Sequence, residues 1–382
     1  MTSDKKYMIC VWMNFPSHHQ STFFQALDER ADVDLQVRYF HAPCGDRAAE
    51  GWADEHETRP YETFCEPNAT PSALLAGVPA AAERVHLISR VFHPELVNHF
   101  VQKNVRWCHW SEAPGIRLAA AVGFRARLFR WLNPLMLLLK RGEGARMRAS
   151  AVGVLAQGEL ARRAFRWMGV PAARIEALYY APPALGSAKP CEKITSFAEG
   201  GRVFLSVGAL CPRKGIDVLI RAFARLNAPE WKLVFCGLDK MGGEYQRLAK
   251  VLGVADRVLF LGAWPSERIA EVFAAADVFV LASRFDGWGA VLNEAASVGL
   301  PLIGTDLCGA AWHAIEPEKN GRVVKAGSVK ELADAMERLA SNQAALKEAG
   351  DHSARIFEEK LTPTANAERL VNALEKWGVH AS

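Results

Sequence analysis

The chain has 382 residues, half of them hydrophobic and 23% charged, which excludes a disordered chain and, at roughly 100–200 residues per domain, points to two domains. A net charge of +4 is too small for the concentrated basic stripe of a nucleic-acid binder. Cys10, Cys44, Cys65, Cys108, Cys191, Cys211, Cys236 and Cys308 form neither a CxxC pair nor a zinc spacing, so they read as buried thiols of a reducing cytosol.

The N-terminal MTSDKKYMICVWMNF lacks the apolar core of a signal peptide. Within it, YMICVW at 7–12 is a candidate buried strand. The loop NFPSHHQ follows, then a helix from near Ser21 and a strand VDLQVRYF at 33–40. The segment 41–80, rich in Pro, Ala, Gly and acidic residues, yields no element. VHLIS at 85–89 and VRWCHW at 105–110 are further strands. Between Arg117 and Arg148, eight Lys and Arg residues accompany one acid, Glu143. The stretch 116–141 sets its Arg residues among Phe124, Leu128, Phe129, Trp131 and Leu132, and Pro134 is expected to interrupt the helix. A basic amphipathic surface of this kind suits an anionic membrane. The other reading is an ordinary helix pair on the N-terminal sheet with snorkelling Arg side chains. The longest aliphatic run, LMLLL at 135–139, is far short of the roughly 20 residues that span a bilayer. The expected location is the cytoplasm, including the inner face of its membrane.

APPALGSAKP at 181–190 reads as an interdomain linker. Beyond it, VFLSV (203–207), WKLVFC (231–236), RVLFL (257–261), DVFVLA (277–282) and LPLIG (300–304) are short buried strands. Amphipathic helices alternate with them; GIDVLIRAFARL puts Ile216, Leu219, Ile220 and Phe223 on one face. Strand alternating with helix implies a parallel, doubly wound sheet whose ligands bind at the strands' C-terminal ends. NAERLVNALEKW at 366–377 is a terminal amphipathic helix. The expected division is an N-terminal Rossmann-like domain over 1–185, a linker over 186–200, a C-terminal Rossmann-like domain over 201–362 and a terminal helix over 363–382 that crosses back to the first domain.

Two segments carry chemistry. In FLSVGALCPRKG (204–215) a strand ends at Gly208 and a loop brings Arg213 and Lys214 to the ligand end of the sheet. A fork and a point charge there suit a diphosphate leaving group. In SRFDGWGAVLNEAASVGLPLIGTD (283–306) the turn Asp286-Gly287-Trp288-Gly289 joins a strand to a helix carrying Glu294. Such a turn offers backbone N–H groups to phosphate, and a carboxylate on each side can accept bonds from neighbouring sugar hydroxyls. RKG is not part of a Walker loop, and the lack of a GxGxxG fingerprint after the first strands argues against a dinucleotide oxidoreductase.

GALCPRKGIDVLIRAF, RVLFLG, DGWGAVLNEAASVGLPL and NGRVV, in that order over about 203–340, resemble the retaining glycosyltransferases of family four, the surface-polysaccharide type included. The resemblance implies the GT-B fold, two Rossmann-like domains facing across a cleft, and a nucleotide-sugar co-substrate with no cofactor or essential metal. It assigns Lys214 to the donor phosphates, Gly287, Trp288 and Gly289 to backbone contacts with sugar and phosphates, and Glu294 to the ribose. Asp286 takes the place of the family's first glutamate, one methylene shorter. Ala209 stands where the family usually has a phosphate-binding Arg, and Arg213, from another position in the loop, is the candidate substitute. The first half resembles the family loosely. FPSHHQST replaces a Gly-rich loop and puts His18, His19 and Gln20 at the end of the first strand, towards an acceptor. His93 is the best match to a functional His that relays the acceptor's proton, and Glu112 in WSEAPG is an acceptor-binding candidate; for each His a purely structural role is the alternative. The expected activity is sugar transfer from a UDP-, GDP- or similar donor to a sugar or lipid-linked hydroxyl. A nucleotide-sugar epimerase of the same architecture and a non-catalytic membrane-associated assembly partner are the alternatives.

Overall fold

The computed structural model describes residues 6–42 and 56–381; Cys44 lies outside them. Short apolar runs become strands buried on both faces, as parallel sheets require. The first sheet comprises β1 (Tyr7–Met13), β2 (Val33–Tyr39), β3 (Glu62–Phe64), β4 (Val85–Ile88), β5 (Trp107–Ser111), β6 (Val154–Ala156) and β7 (Ile175–Ala177). Their order is β3-β2-β1-β4-β5-β6-β7, with every pair parallel. Helices α1 (His18–Asp28), α2 (Pro71–Ala76), α3 (Pro94–Gln102), α4 (Ile116–Ala121), α5 (Ala126–Leu139), α6 (Arg141–Ser150) and α7 (Gly158–Trp167) connect them.

The second sheet comprises β8 (Arg202–Val207), β9 (Trp231–Cys236), β10 (Val258–Gly262), β11 (Val278–Leu281), β12 (Leu302–Thr305) and β13 (Gly321–Val324), ordered β10-β9-β8-β11-β12-β13 and again parallel. Its helices are α8 (Glu192–Ala198), α9 (Ile216–Phe223), α10 (Glu244–Val251), α11 (Ile269–Ala274), α12 (Val291–Ser297), α13 (Ala311–Ala314), α14 (Val329–Ala340) and α15 (Gln343–Ile356). Within 186–200, α8 buries Ile194 and Ala198 in this domain's core. Chain order reverses beside β1 and β4 in one sheet and beside β8 and β11 in the other, and ligands bind at such switch points.

The terminal helix α16 (Pro363–Lys376) returns to the first domain. Thr362 caps it, accepting from the Ala365 N–H at 3.2 Å, and Pro363 opens it. Leu370, Val371 and Leu374 join the core of the first sheet, and Tyr7 Oη donates to Glu375 at 2.5 Å. Asn366 exchanges two hydrogen bonds with the Tyr179 backbone, at 2.9 and 2.8 Å. The two strands of chain that cross between the domains are thereby tied together.

Three expectations are corrected. Helix α1 begins at His18, ahead of Ser21, because Ser17 O already accepts the N–H groups of Gln20 and Ser21. The segment 41–80, expected to yield no element, holds β3 and α2: β3 is fixed by pairing with β2 and α2 by its Thr70 cap, and β6, β7 and β13 are likewise too short to show as apolar runs. Pro134 lies inside α5 and does not end it. Tertiary contacts hold the turns on either side. Phe129 meets Phe285 edge-on at 5.1 Å, and Arg130 donates to Asp306 at 2.5 Å. Leu137 is buried in the N-terminal core. The stretch 116–141 therefore packs across the cleft as well as on its own domain, with Ala119, Ala126 and Phe129 meeting Phe285, Leu307 and Ala326 of the second domain. Among the described residues no helix is long and apolar enough to cross a membrane.

Candidate functional site

The loops after β8 and β11 meet at the switch point of the second sheet. Gly215 sits at φ +67°, and a side chain there would run into the Ala282 carbonyl, so glycine lets the first loop lie against the end of β11. Arg213 and Lys214 occupy the turn before it. Arg284 holds the two loops together. Its guanidinium grips Asp217 with bonds of 2.7 and 2.6 Å and reaches the Pro212 carbonyl at 2.8 Å, and its N–H donates to Arg213 O at 2.8 Å. Bidentate Arg–carboxylate geometry fixes orientation as well as distance.

Lys214 Nζ lies 2.7 Å and Arg213 Nη1 3.1 Å from one oxygen of Asp286. Burial pushes the Asp286 carboxyl up, but the two cations outweigh it and hold it below the usual carboxylate range. The shorter acid at 286 thus ends on the cations, with one negative charge against two positive ones. Asp286 N donates to Leu307 O at 2.9 Å and Gly309 N to Asp286 O at 3.2 Å, which anchors the turn to the loop after β12. At Gly289, φ is +87° and a Cβ would lie 2.6 Å from Cys308 Sγ; no other residue fits there.

The N–H groups of Gly287, Trp288 and Gly289 donate to no acceptor among the described residues, while Trp288 O receives Ala310 N at 2.7 Å and Cys308 Sγ at 2.9 Å. The turn therefore keeps its donors open and its acceptor occupied, which suits an anion. The Trp288 ring faces away from this opening. It is buried, stacked on Tyr179 at 5.1 Å and His313 at 5.8 Å. Glu294 lies in the first turn of α12, and burial pushes its carboxyl up to about 7, with Lys214 opposing. Lys214 thus faces both acids.

From the first domain, Glu112 follows β5 and crosses the cleft. Its carboxylate fills the space a side chain on Gly287 would take. Glu112 is reachable by water, yet protein surrounds it within the cleft. That crowding pushes its carboxyl up to about 7; Asp286 adds to the rise, and a Tyr180 hydrogen bond and Arg213 oppose it. Glu112 is therefore placed against the turn 286–289. His93 lies at the switch point of the first sheet, with Nε2 2.8 Å from Asn14 Oδ1 and its ring stacked on Phe40 at 3.7 Å. Burial lowers it to about 4, so it is a neutral imidazole at physiological pH. His18 and His19 open α1 on the loop after β1; the His18 side chain lies outside the described placements, and the buried Gln20 points into the fold. Among the described residues no group of three or more His, Cys, Asp or Glu could hold a metal ion.

Sequence reasoning missed Arg284, Asp217, Tyr180 and the loop of Cys308 and Gly309. Arg284 stands inside the quoted turn segment and Asp217 inside the quoted helix, but only the fold shows that they pair. Gly309 follows a strand end, a position that signals close backbone approach.

Two parallel Rossmann-like domains with their switch points opposed across a cleft define the GT-B glycosyltransferase fold. Residues 190–355, less than half of the chain, match the family described as Glycosyl transferases group 1. The chain is 30% identical, over 57% of its length and 23% of the relative's, to an exopolysaccharide phosphotransferase of Streptomyces coelicolor. It is 34% identical, over 39% of its length and 42% of the relative's, to the GDP-mannose-dependent alpha-(1-6)-phosphatidylinositol monomannoside mannosyltransferase of Mycolicibacterium smegmatis. The chain thus spans less than half the length of these curated relatives. The crystal structure of Anabaena HepE in complex with UDP shares the fold, with a TM-score of 0.70 over 97% of this chain and 99% of that one at 16% identity.

Proposed function

We propose that the chain transfers a sugar from a nucleotide-sugar, held by the second domain, to a hydroxyl acceptor entering from the first. The observation that carries this reading is the turn 286–289, with three open N–H groups beside the Lys214–Arg213 pair and Glu294 close by. In it, Glu294 accepts the ribose hydroxyls. The turn N–H groups and Lys214 take the diphosphate. Asp286 touches the sugar while keeping its hold on the cations. As the bond to the anomeric carbon breaks, negative charge grows on the departing phosphate, and Lys214 and Arg213 stabilise it without a metal. Retention belongs to the same reading through the family resemblance: acceptor oxygen and leaving phosphate share one face of the sugar, so a phosphate oxygen is the nearest base for the acceptor's proton. His93 and Glu112 orient the acceptor. UDP in HepE and GDP-mannose in the mycobacterial relative's name set the first donors to try. A thermal-shift series with UDP, GDP and their sugars tests the reading. One nucleotide should raise the melting temperature, since a ligand stabilises in proportion to its affinity, and Glu294→Ala should abolish the rise. No response to any nucleotide would count against the reading.

A lipid-linked acceptor, and contact with the inner face of a membrane, are part of this proposal. Helix α5 turns Trp131, 76% exposed, Leu135, 55% exposed, and Leu139, 80% exposed, outward, and exposed Arg127 and Arg141 flank them. An apolar face with basic edges matches an anionic bilayer. The chain should sediment with phosphatidylglycerol vesicles, several-fold less with Trp131→Ser or in high salt, and weakly with phosphatidylcholine. Equal binding to both lipids would refute the contact.

A further inference from the structure

Besides its outward face, α5 lines a groove between the domains of about 190 Å³, bounded by Pro114, Phe129, Asn133, Leu137, Trp167 and Phe285 among others. Two links tie this groove to the candidate site. Pro114 stands two residues after Glu112, and Phe285 immediately precedes Asp286. At about 30 Å³ per water, the space takes some six waters' volume, or a short hydrocarbon segment. Its walls are apolar except for Arg163 and Asn133. Arg163 is already committed, paired with Glu159 at 2.8 Å and lying over the Trp312 ring at 4.3 Å. Asn133 is not: its Oδ1 is buried and has no hydrogen-bond partner. An apolar cavity with one unsatisfied acceptor is the pattern of a small-molecule site in which a single polar group fixes orientation. In a mere packing gap a buried, unpaired amide oxygen is a cost with nothing to offset it. The groove is held open by fixed elements, Phe129 on Phe285 and Arg130 on Asp306, and it reaches solvent beside the half-exposed Trp167.

We propose that this groove is the subsite for an apolar aglycone of the acceptor, with Asn133 Oδ1 accepting a hydrogen bond from a hydroxyl or amide N–H at the neck between sugar and hydrocarbon. The inference rests on the transferase reading and sharpens it. The acceptor class becomes an amphiphilic glycoside, whose sugar head lies at Glu112 and the donor turn, rather than a free sugar. The head enters the cleft between the two switch points while the first methylenes of the tail lie along Phe129 and Leu137.

The test is calorimetric titration of the full chain with octyl β-glucoside, below its micellar concentration, and with methyl β-glucoside. The octyl compound should bind at least tenfold more tightly; Trp167→Ala should reduce that preference several-fold, and Asn133→Ala should weaken octyl glucoside itself several-fold. Trp167 is half-exposed and Asn133 partly exposed, so both variants should fold, and an unchanged thermal melt confirms that they have. Equal binding of the two glucosides overturns the subsite. So does octyl glucoside binding indifferent to Asn133→Ala, or a preference that survives Trp167→Ala but is lost in Trp131→Ser, which would put the hydrocarbon on the outer face of α5. The donor reading fails separately: a chain that keeps the octyl preference but binds no nucleotide refutes the donor site and leaves the groove.

Discussion

Lys214→Ala should lower the rate of donor turnover by about 10²–10³, the range found when one preorganised stabiliser of a developing negative charge is removed. Lys214 is the cation that faces both Asp286 and Glu294, and it is well shielded from water, so its charge acts through a poorly screening medium. Arg213, 3.1 Å from Asp286, should keep that buried carboxylate paired in the variant and limit the loss of stability. Lys214→Arg should recover part of the rate but not all of it, since a planar fork cannot reproduce a point charge at the same place. The readout is release of nucleoside diphosphate, set against a denaturant melt of the same variant. A large fall in stability with turnover per folded molecule unchanged would make Lys214 a structural counter-ion only.

The second large effect is pH-dependent and belongs to Glu294. Burial pushes its carboxyl up to about 7, so it keeps its proton at pH 6. Ribose hydroxyls bond best to the ionised carboxylate, so nucleotide binding must release that proton. Affinity should therefore be full above pH 8 and fall as the pH drops through 7, by about tenfold at pH 6. Glu294→Gln should bind nucleotide about 10–100-fold more weakly at pH 8, the cost of losing bonds to a charged group, and its affinity should lose the wild-type step near pH 7. Comparing the two proteins cancels the nucleotide's own titration. Calorimetry at pH 6, 7 and 8 reads both effects, and parallel pH profiles would place the ribose elsewhere. The same raised carboxyl bears on folding. A carboxyl whose folded pKa exceeds its unfolded value favours the native state in acid and loses that contribution as pH rises through the folded value, so the empty protein should gain from nucleotide most clearly above pH 7.

The second domain was legible because its physics is local. Runs such as WKLVFC and DVFVLA are buried on both faces and need no alternation, and Gly208, Gly215 and Gly289 mark turns that only glycine can make. Lys214, Asp286 and Glu294 then followed from strand ends. Their partners did not. Nothing in the sequence pairs Asp286 with Lys214 rather than with a ligand, and the Arg284–Asp217 clasp joins residues 67 positions apart. The first domain was harder to read for a different reason. β3, β6 and β7 are three residues long, below the length at which a pattern can be seen, and sheet neighbours rather than sequence define them. Pro134 misled because the rule for helix breaking is local, while α5 is held by contacts from both domains. Glu112 was noticed as a cleft residue, but its place against Gly287 depends on how the two domains meet.

The central claim is that the turn 286–289, with Lys214 and Glu294, holds a nucleotide-sugar and cleaves it. The most direct measurement is release of nucleoside diphosphate from a panel of UDP-, GDP- and ADP-sugars by the full chain, with and without amphiphilic glycoside acceptors. At least one donor should be consumed, faster with an acceptor present, and Lys214→Ala and Glu294→Ala should each suppress the reaction. Tight nucleotide binding with no donor consumed under any acceptor condition, or consumption indifferent to both substitutions, would contradict it.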